Sequence, residues 1–100
     1  MSVEVTARHL NISPILQAYA RKRAEALLAE FPKTEFVHVI LDSERHNYIA
    51  EVVAQHKGMA QVKARETSED MIAAIDAAAL KAEKQIRKRH QKLISTHRKP

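Results

Sequence analysis

The sequence predicts an α+β domain: a two-layer sandwich in the order β-α-β-β-β-α, with a four-stranded sheet and two helices packed on one face. Three observations carry this reading. Two segments repeat apolar residues at spacings of 3 and 4, the period of an amphipathic helix. Four others alternate apolar and polar residues or run rich in β-branched side chains. Turn and cap residues separate them, and no internal repeat or interdomain linker is present.

The elements follow in order. Val3, Val5 and Ala7 alternate with Glu4, Thr6 and Arg8, which predicts a half-buried first strand. Asn11-Ile12-Ser13-Pro14 marks a helix start, because Ser13 can cap orphan N–H groups and Pro14 suits the first helical position. Leu16, Ala20, Ala24, Leu27 and Phe31 then form one stripe, with Tyr19 beside it. Pro32 ends the helix by disfavouring helical geometry at Phe31. Phe36 to Leu41 predicts the second strand, a polar loop the stretch from Asp42 to Asn47, and Tyr48 to His56 the third strand. In that third strand Ala50, Val52 and Ala54 share a face opposite Glu51, Val53 and Gln55. Gly58, the only glycine, sits where a hairpin turn needs positive φ. Ala60 to Arg65 predicts a fourth strand, and Thr67-Ser68-Glu69-Asp70 a capping box with two acids in the first turn of a long helix reaching about Leu93.

One hundred residues make one domain, placed at 1–94, with a short basic tail at 95–100 that is expected to be disordered. The chain has no cysteine, which excludes disulfides, thiolate chemistry and cysteine-type zinc sites. No apolar run is long enough to cross a bilayer, and the first residues do not form a signal peptide, so a cytoplasmic protein without membrane contact is expected.

Charge is the feature that points to function. Residues 81–100 hold eight of the seventeen Lys and Arg but only one of the twelve acids, Glu83, and are net +7, whereas residues 1–80 are net −2. Lys81, Lys84, Lys88 and Lys92 fall on one line of the second helix, and Ile75, Ala79, Ala82, Ile86 and Leu93 on a stripe roughly 150° away. A merely solvated face would be served by mixed Lys and Glu at i,i+4. Here Lys84–Lys88 and Lys88–Lys92 are like-charged, and Glu83–Arg87 is the one favourable pair in the segment. A polyanion is the natural partner for such a row. Arg21-Lys22-Arg23 adds a second basic cluster, and two helices on one sheet face would join both into a continuous basic surface.

Other chemistries find no footing. The six histidines form no i,i+4 pair and no His-Glu-x-x-His, so no metal site is expected. No serine sits in a Gly-x-Ser-x-Gly elbow, and one glycine cannot build a phosphate-cradling loop. No enzyme activity, cofactor or small-molecule substrate is predicted. The four aromatics, Tyr19, Phe31, Phe36 and Tyr48, read as packing residues, so a platform for stacking single strands fits poorly. Recognition of folded RNA through backbone and shape suits an aromatic-poor, ammonium-rich surface.

Asp70-Met71-Ile72-Ala73-Ala74-Ile75-Asp76, followed by Lys81 and by Lys84-Gln85-Ile86-Arg87-Lys88, resembles the signature of the ribosome hibernation promoting factor family, also called ribosome-associated inhibitor or sigma-factor modulation protein. Thr6-Ala7-Arg8-His9-Leu10 with Pro14 and Leu16 is similar to the family's opening, and His46 to Glu51 to its middle segment. Ile72 stands where the family usually has Tyr, and Ala26 where Lys is common. The resemblance implies a protein that binds the small ribosomal subunit and its RNA, between head and body where messenger and transfer RNA would lie. Translation is thereby blocked and the idle ribosome preserved. By motif it implies RNA contacts from Arg23, Lys81, Lys84, Arg87, Lys88 and Lys92, to which helical periodicity adds Lys22. The basic ending resembles the short family form, which favours ribosome dimers together with a separate modulation factor and is expected to be monomeric off the ribosome.

Two other readings stay open at the level of sequence. One is a general double-stranded RNA-binding module acting away from ribosomes. The other is an interaction protein using its sheet face. If about six phosphates are neutralised, affinity falls on the order of a thousandfold between low and high salt.

Overall fold

In the computed structural model the described residues are 2–58 and 60–98, with side chains through Arg89. The elements are β1 (Ser2–Ala7), α1 (Pro14–Glu30), β2 (Thr34–Glu44), β3 (Asn47–His56), β4 (Val62–Ser68) and α2 (Met71–Arg98), in the expected order. They build a four-stranded sheet ordered β1-β2-β3-β4, in which β1 runs parallel to β2 and the remaining pairs are antiparallel. A parallel neighbour requires a crossover, and α1 supplies it.

Strand register decides which side chains meet the helices. Val39 of β2, Val52 of β3 and Ala64 of β4 lie side by side, and each is at most 1% exposed. One residue along, Glu51 aligns with Ile40 on one side and Arg65 on the other, on the open face. Both helices therefore cover the same face, α1 over β1 and β2, α2 over β3 and β4. The core under α2 combines alanines from the helix (Ala74, Ala78, Ala82) with alanines from the strands (Ala50, Ala54, Ala64), filled in by Met71, Ile75 and Ile86. Alanines on both layers leave a thin interface, so the longer side chains fix the helix rotation.

The caps show why the helices begin where they do. Ser13 Oγ accepts the Leu16 amide at 3.2 Å, with Pro14 in the first turn of α1. In α2, Asp70 accepts the Ala73 amide on its carboxylate at 3.1 Å and the Ala74 amide on its carbonyl at 3.0 Å, while Ser68 Oγ accepts the Asp70 amide. Asp70 is thus the cap itself, and the first turn of α2 carries no acid, contrary to the sequence expectation. The carboxylate still lies against the positive end of the helix dipole.

Strands β2 and β3 are longer than expected, and the polar loop placed over Asp42 to Asn47 shrinks to a two-residue turn at Arg45 and His46. Polar composition suggested a loop, but strand pairing continues through Ser43↔Tyr48 and Glu44↔Asn47. Arg45 enters the turn at φ 55°, a conformation in which Asn or Gly is usual. The other hairpin turns at Gly58, with φ 79° as expected. β4 begins at Val62 rather than Ala60. The backbone of α2 is helical to Arg98, beyond the expected end near Leu93, because no Gly or Pro interrupts it before Pro100. The tail expected over 95–100 is described only as far as that helical backbone, and Lys99 and Pro100 lie outside the described residues.

Candidate nucleic-acid interface

The cationic row of α2 is oriented by what lies beneath it. Ile75, Ala79, Ala82 and Ile86 are at most 3% exposed, so the opposite side of the same helix must face solvent. Lys84 and Lys88 occupy that side one turn apart, both exposed and with no carboxylate partner among the described residues. Lys81 is exposed as well, but its Nζ lies 3.2 Å from Glu66 Oε2 on β4. The side chain of Lys92, the fourth member of the row, lies outside the described residues.

Arg87 is turned toward α1 rather than outward. Its Nη2 donates to Glu30 Oε2 at the end of α1 and lies 3.1 Å from Glu83 Oε2 on its own helix. The guanidinium also sits 6.0 Å from the centre of the Phe31 ring, within the range of a cation–π contact. On α1, Lys22 is exposed and has no carboxylate partner among the described residues. Arg23 is half-buried, and its Nε lies 3.3 Å from Asp76 Oδ1 of α2, poorly aligned for a hydrogen bond. The same Asp76 oxygen accepts the Tyr19 hydroxyl at 2.5 Å, and that bond, with burial and the carboxylate's charge, raises the Tyr19 pKa above the usual phenol value.

The continuous basic surface expected across the two helices is therefore interrupted. Between Lys22 on α1 and the Lys84–Lys88 pair on α2 runs a seam of alternating charge: Arg23 and Arg87 against Asp76, Glu30 and Glu83. Arg23, Ala26, Leu27, Glu30, Ala79 and Glu83 line a shallow groove there. Sequence reasoning found Glu83 through its i,i+4 spacing to Arg87. It missed Glu30, Glu66 and Asp76, whose pairings cross between elements and carry no local spacing signal.

Arg89, a member of the same basic segment, does different work. Its Nη1 donates to the carbonyls of Ala60 at 2.8 Å and Gln61 at 3.4 Å, just ahead of β4, and Gln85 reaches the Lys63 carbonyl at 3.5 Å. These bonds hold the flank of α2 over the edge of the sheet and satisfy carbonyls that lack a further strand.

Histidines are dispersed. His38 Nε2 lies 2.8 Å from Thr6 Oγ1, His9 Nδ1 3.0 Å from Asp42, and buried His56 Nδ1 3.3 Å from Thr34 Oγ1. The His9 hydrogen bond, aided by the Ser43 amide, lowers the Asp42 pKa. Among the described residues no three His, Asp or Glu side chains are grouped to hold a metal ion, and no helix is long and apolar enough to cross a membrane. Tyr48, expected to pack, is 38% exposed beside Asn11 and the Arg45–His46 turn, because the unforeseen tight turn brings it to the sheet's end.

The family model described as Sigma 54 modulation protein / S30EA ribosomal protein matches residues 3–94. The chain belongs to this family. Among proteins similar to it are a ribosome hibernation promoting factor of Pseudomonas putida, 32% identical over 92 residues that span 92% of this chain and 89% of that protein. Another is a ribosome hibernation promoting factor of Azotobacter vinelandii, 31% identical over 94 residues spanning 94% and 87%. The N-terminal domain of Protein Y from Thermus thermophilus superposes with a TM-score of 0.76 at 26% identity, covering 88% of this chain and 98% of that one. A ribosomal subunit interface protein from Coxiella burnetii gives 0.82 at 22% identity, covering 91% and 99%, a likeness of fold.

In this S30EA-family chain the segment Asp70–Asp76 has a structural explanation. Asp70 caps α2, Met71, Ala74 and Ile75 enter the core, and Asp76 ties α2 to Tyr19 and Arg23 of α1. The signature thus sets the start and rotation of the helix that presents the lysines.

Proposed function

We propose that the protein is a non-catalytic ribosome hibernation factor of the cytoplasm. In this reading it binds the small ribosomal subunit in the channel between head and body, excludes messenger and transfer RNA, and so inhibits translation while preserving the idle ribosome. The observation that carries the reading is the Lys84–Lys88 pair, exposed and without a carboxylate partner among the described residues, on a helix whose opposite side is buried. Two ammonium groups one turn apart on a rigid support suit phosphates of a folded RNA, since little side-chain order beyond the lysines themselves is lost on binding. Lys22 and Arg23 of α1 and Lys81, Arg87 and Lys92 of α2 are the remaining contacts proposed to ribosomal RNA. Lys81, Arg23 and Arg87 each have a carboxylate neighbour to exchange for phosphate, and for the more open pairs of Lys81 and Arg87 the hold is only about 0–1 kcal/mol. Promotion of ribosome dimers together with a modulation factor, and a monomeric state off the ribosome, belong to the same proposal.

The names of the similar proteins support the reading, and the acidic seam favours it over a general double-stranded RNA-binding module. A regular duplex lying across both helices would meet Glu30, Glu83 and Asp76 as well as the lysines. The discriminating experiment measures binding of the protein to purified small subunits and to a plain RNA duplex at matched salt. Clear preference for subunits is expected, by tenfold or more on the order of magnitude set by one phosphate contact at 0.1 M salt. Equal affinities would favour the off-ribosome module.

A further inference from the structure

We propose that Glu30 and Glu83 are specificity determinants, which keep Arg87 from serving as a general phosphate contact and so disfavour RNA that offers only a regular phosphate backbone. The inference rests on the RNA-binding reading above and deepens it. Arg87 is held from both helices, by Glu30 of α1 and Glu83 of α2, with the Phe31 ring beneath it. Arg87 is 54% exposed, against 35% for Glu30 and 28% for Glu83. Exposed pairs contribute little to stability, so folding alone gives weak reason to set two carboxylates on one guanidinium. Their placement matters more for what approaches from solvent.

A phosphate that takes Arg87 from these carboxylates leaves both of them beside a phosphodiester. The carboxylates must then regain counterions, which offsets the counterions that the RNA releases. Lys84 and Lys88 bear no such cost. A plain duplex is therefore held by the lysines alone and is repelled at the seam, an arrangement that builds selectivity by penalising the wrong partner. A folded RNA surface escapes the penalty if it turns donors toward the seam. Amino groups of unpaired bases are such donors, which a plain duplex keeps within its base pairs, and carboxylates accept from them. The ligand class favoured at this seam is accordingly irregular RNA with unpaired, outward-turned base edges, flanked by phosphates at the spacing of the lysine row.

The test is the double variant Glu30→Gln plus Glu83→Gln, with Glu83→Gln alone as a milder companion. Glutamine keeps the shape and a hydrogen-bond acceptor, and thermal melting checks that the fold is retained. Affinity for a plain RNA duplex at 0.1 M salt is expected to rise about eightfold as Arg87 joins the phosphate contacts, and the salt slope to steepen by about 0.9. Affinity for small subunits is expected to rise less, so the ratio between the two ligands narrows. An unchanged or weakened duplex affinity, or an equal rise for both ligands, overturns the proposal. Wild-type binding to subunits that depends on Lys84 and Lys88, combined with an unaltered duplex affinity in the double variant, sinks this inference alone. Wild-type protein that ignores small subunits sinks the reading on which it rests.

Discussion

Reversal of charge at Lys84 and Lys88 together, as Lys84→Glu plus Lys88→Glu, is expected to abolish co-sedimentation with small ribosomal subunits while the domain remains folded. Both side chains are exposed, and neither has a carboxylate partner among the described residues. The substitution exchanges one like-charged i,i+4 pair at 84 and 88 for another and gives position 88 a charge opposite to Lys92, so helix stability changes by only about a few tenths of a kcal/mol. The core stripe of Ile75, Ala79, Ala82 and Ile86 is untouched. Binding is different. Losing two phosphate contacts costs roughly sixtyfold at 0.1 M salt by counterion release alone, and two new carboxylates facing the RNA push the loss further. Circular dichroism with a thermal melt separates the two effects. A variant that melts like the parent yet no longer travels with subunits is the expected outcome. Undiminished sedimentation would remove the lysine pair from the interface.

Salt dependence has the next largest effect, and the structure revises its size. Six neutralised phosphates give a slope of about −5.4 in log affinity against log salt, or a loss near two-thousandfold between 50 and 200 mM. Among the proposed contacts, only Lys22, Lys84 and Lys88 lack a carboxylate neighbour among the described residues. Three such contacts give a slope of about −2.7 and a loss of roughly fortyfold over the same interval. Cations already paired add little, because the carboxylates they leave behind recover counterions. The expected titration therefore falls about fortyfold or somewhat more, with any contribution from Lys92 steepening it. A flat response would contradict binding by phosphate neutralisation. A slope near −5.4 would mean that Arg23, Lys81 and Arg87 are fully available to RNA after all.

The fold was legible because its signals are local. Alternation in Ala50–Ala54 and Val62–Ala64, the Ser13-Pro14 start and the glycine turn at Gly58 each depend on residues a few positions apart, and the structure keeps them all. The β2–β3 turn is shorter than composition predicts: Asp42, Ser43 and Glu44 have loop-like composition, whereas cross-strand pairing with Ile49, Tyr48 and Asn47 determines their state. Arg45 gives no sequence sign that it will accept φ 55°.

The candidate site divides in the same way. That Lys84 and Lys88 point away from the core follows from helical period, and this much was readable from the chain. That Arg87 points at α1, Lys81 at Glu66 and Arg23 at Asp76 follows from how α2 is rotated and seated between α1 and β4. No one-dimensional spacing encodes an ion pair 57 residues apart, such as Arg87–Glu30. Net charge of the segment therefore overstated the number of cations open to a ligand. Distribution, rather than total, decides what the surface can hold.

The most direct measurement of the central claim places a photo-cross-linker beside the lysine row without altering it. Leu80 is 45% exposed, one turn before Lys84 on α2, and the chain has no native cysteine. Leu80→Cys carrying a benzophenone is expected to cross-link, on small subunits, to RNA that lines the channel between head and body. Cross-links confined to ribosomal proteins, to the large subunit or to scattered RNA sites would contradict the placement of α2 along the small-subunit RNA.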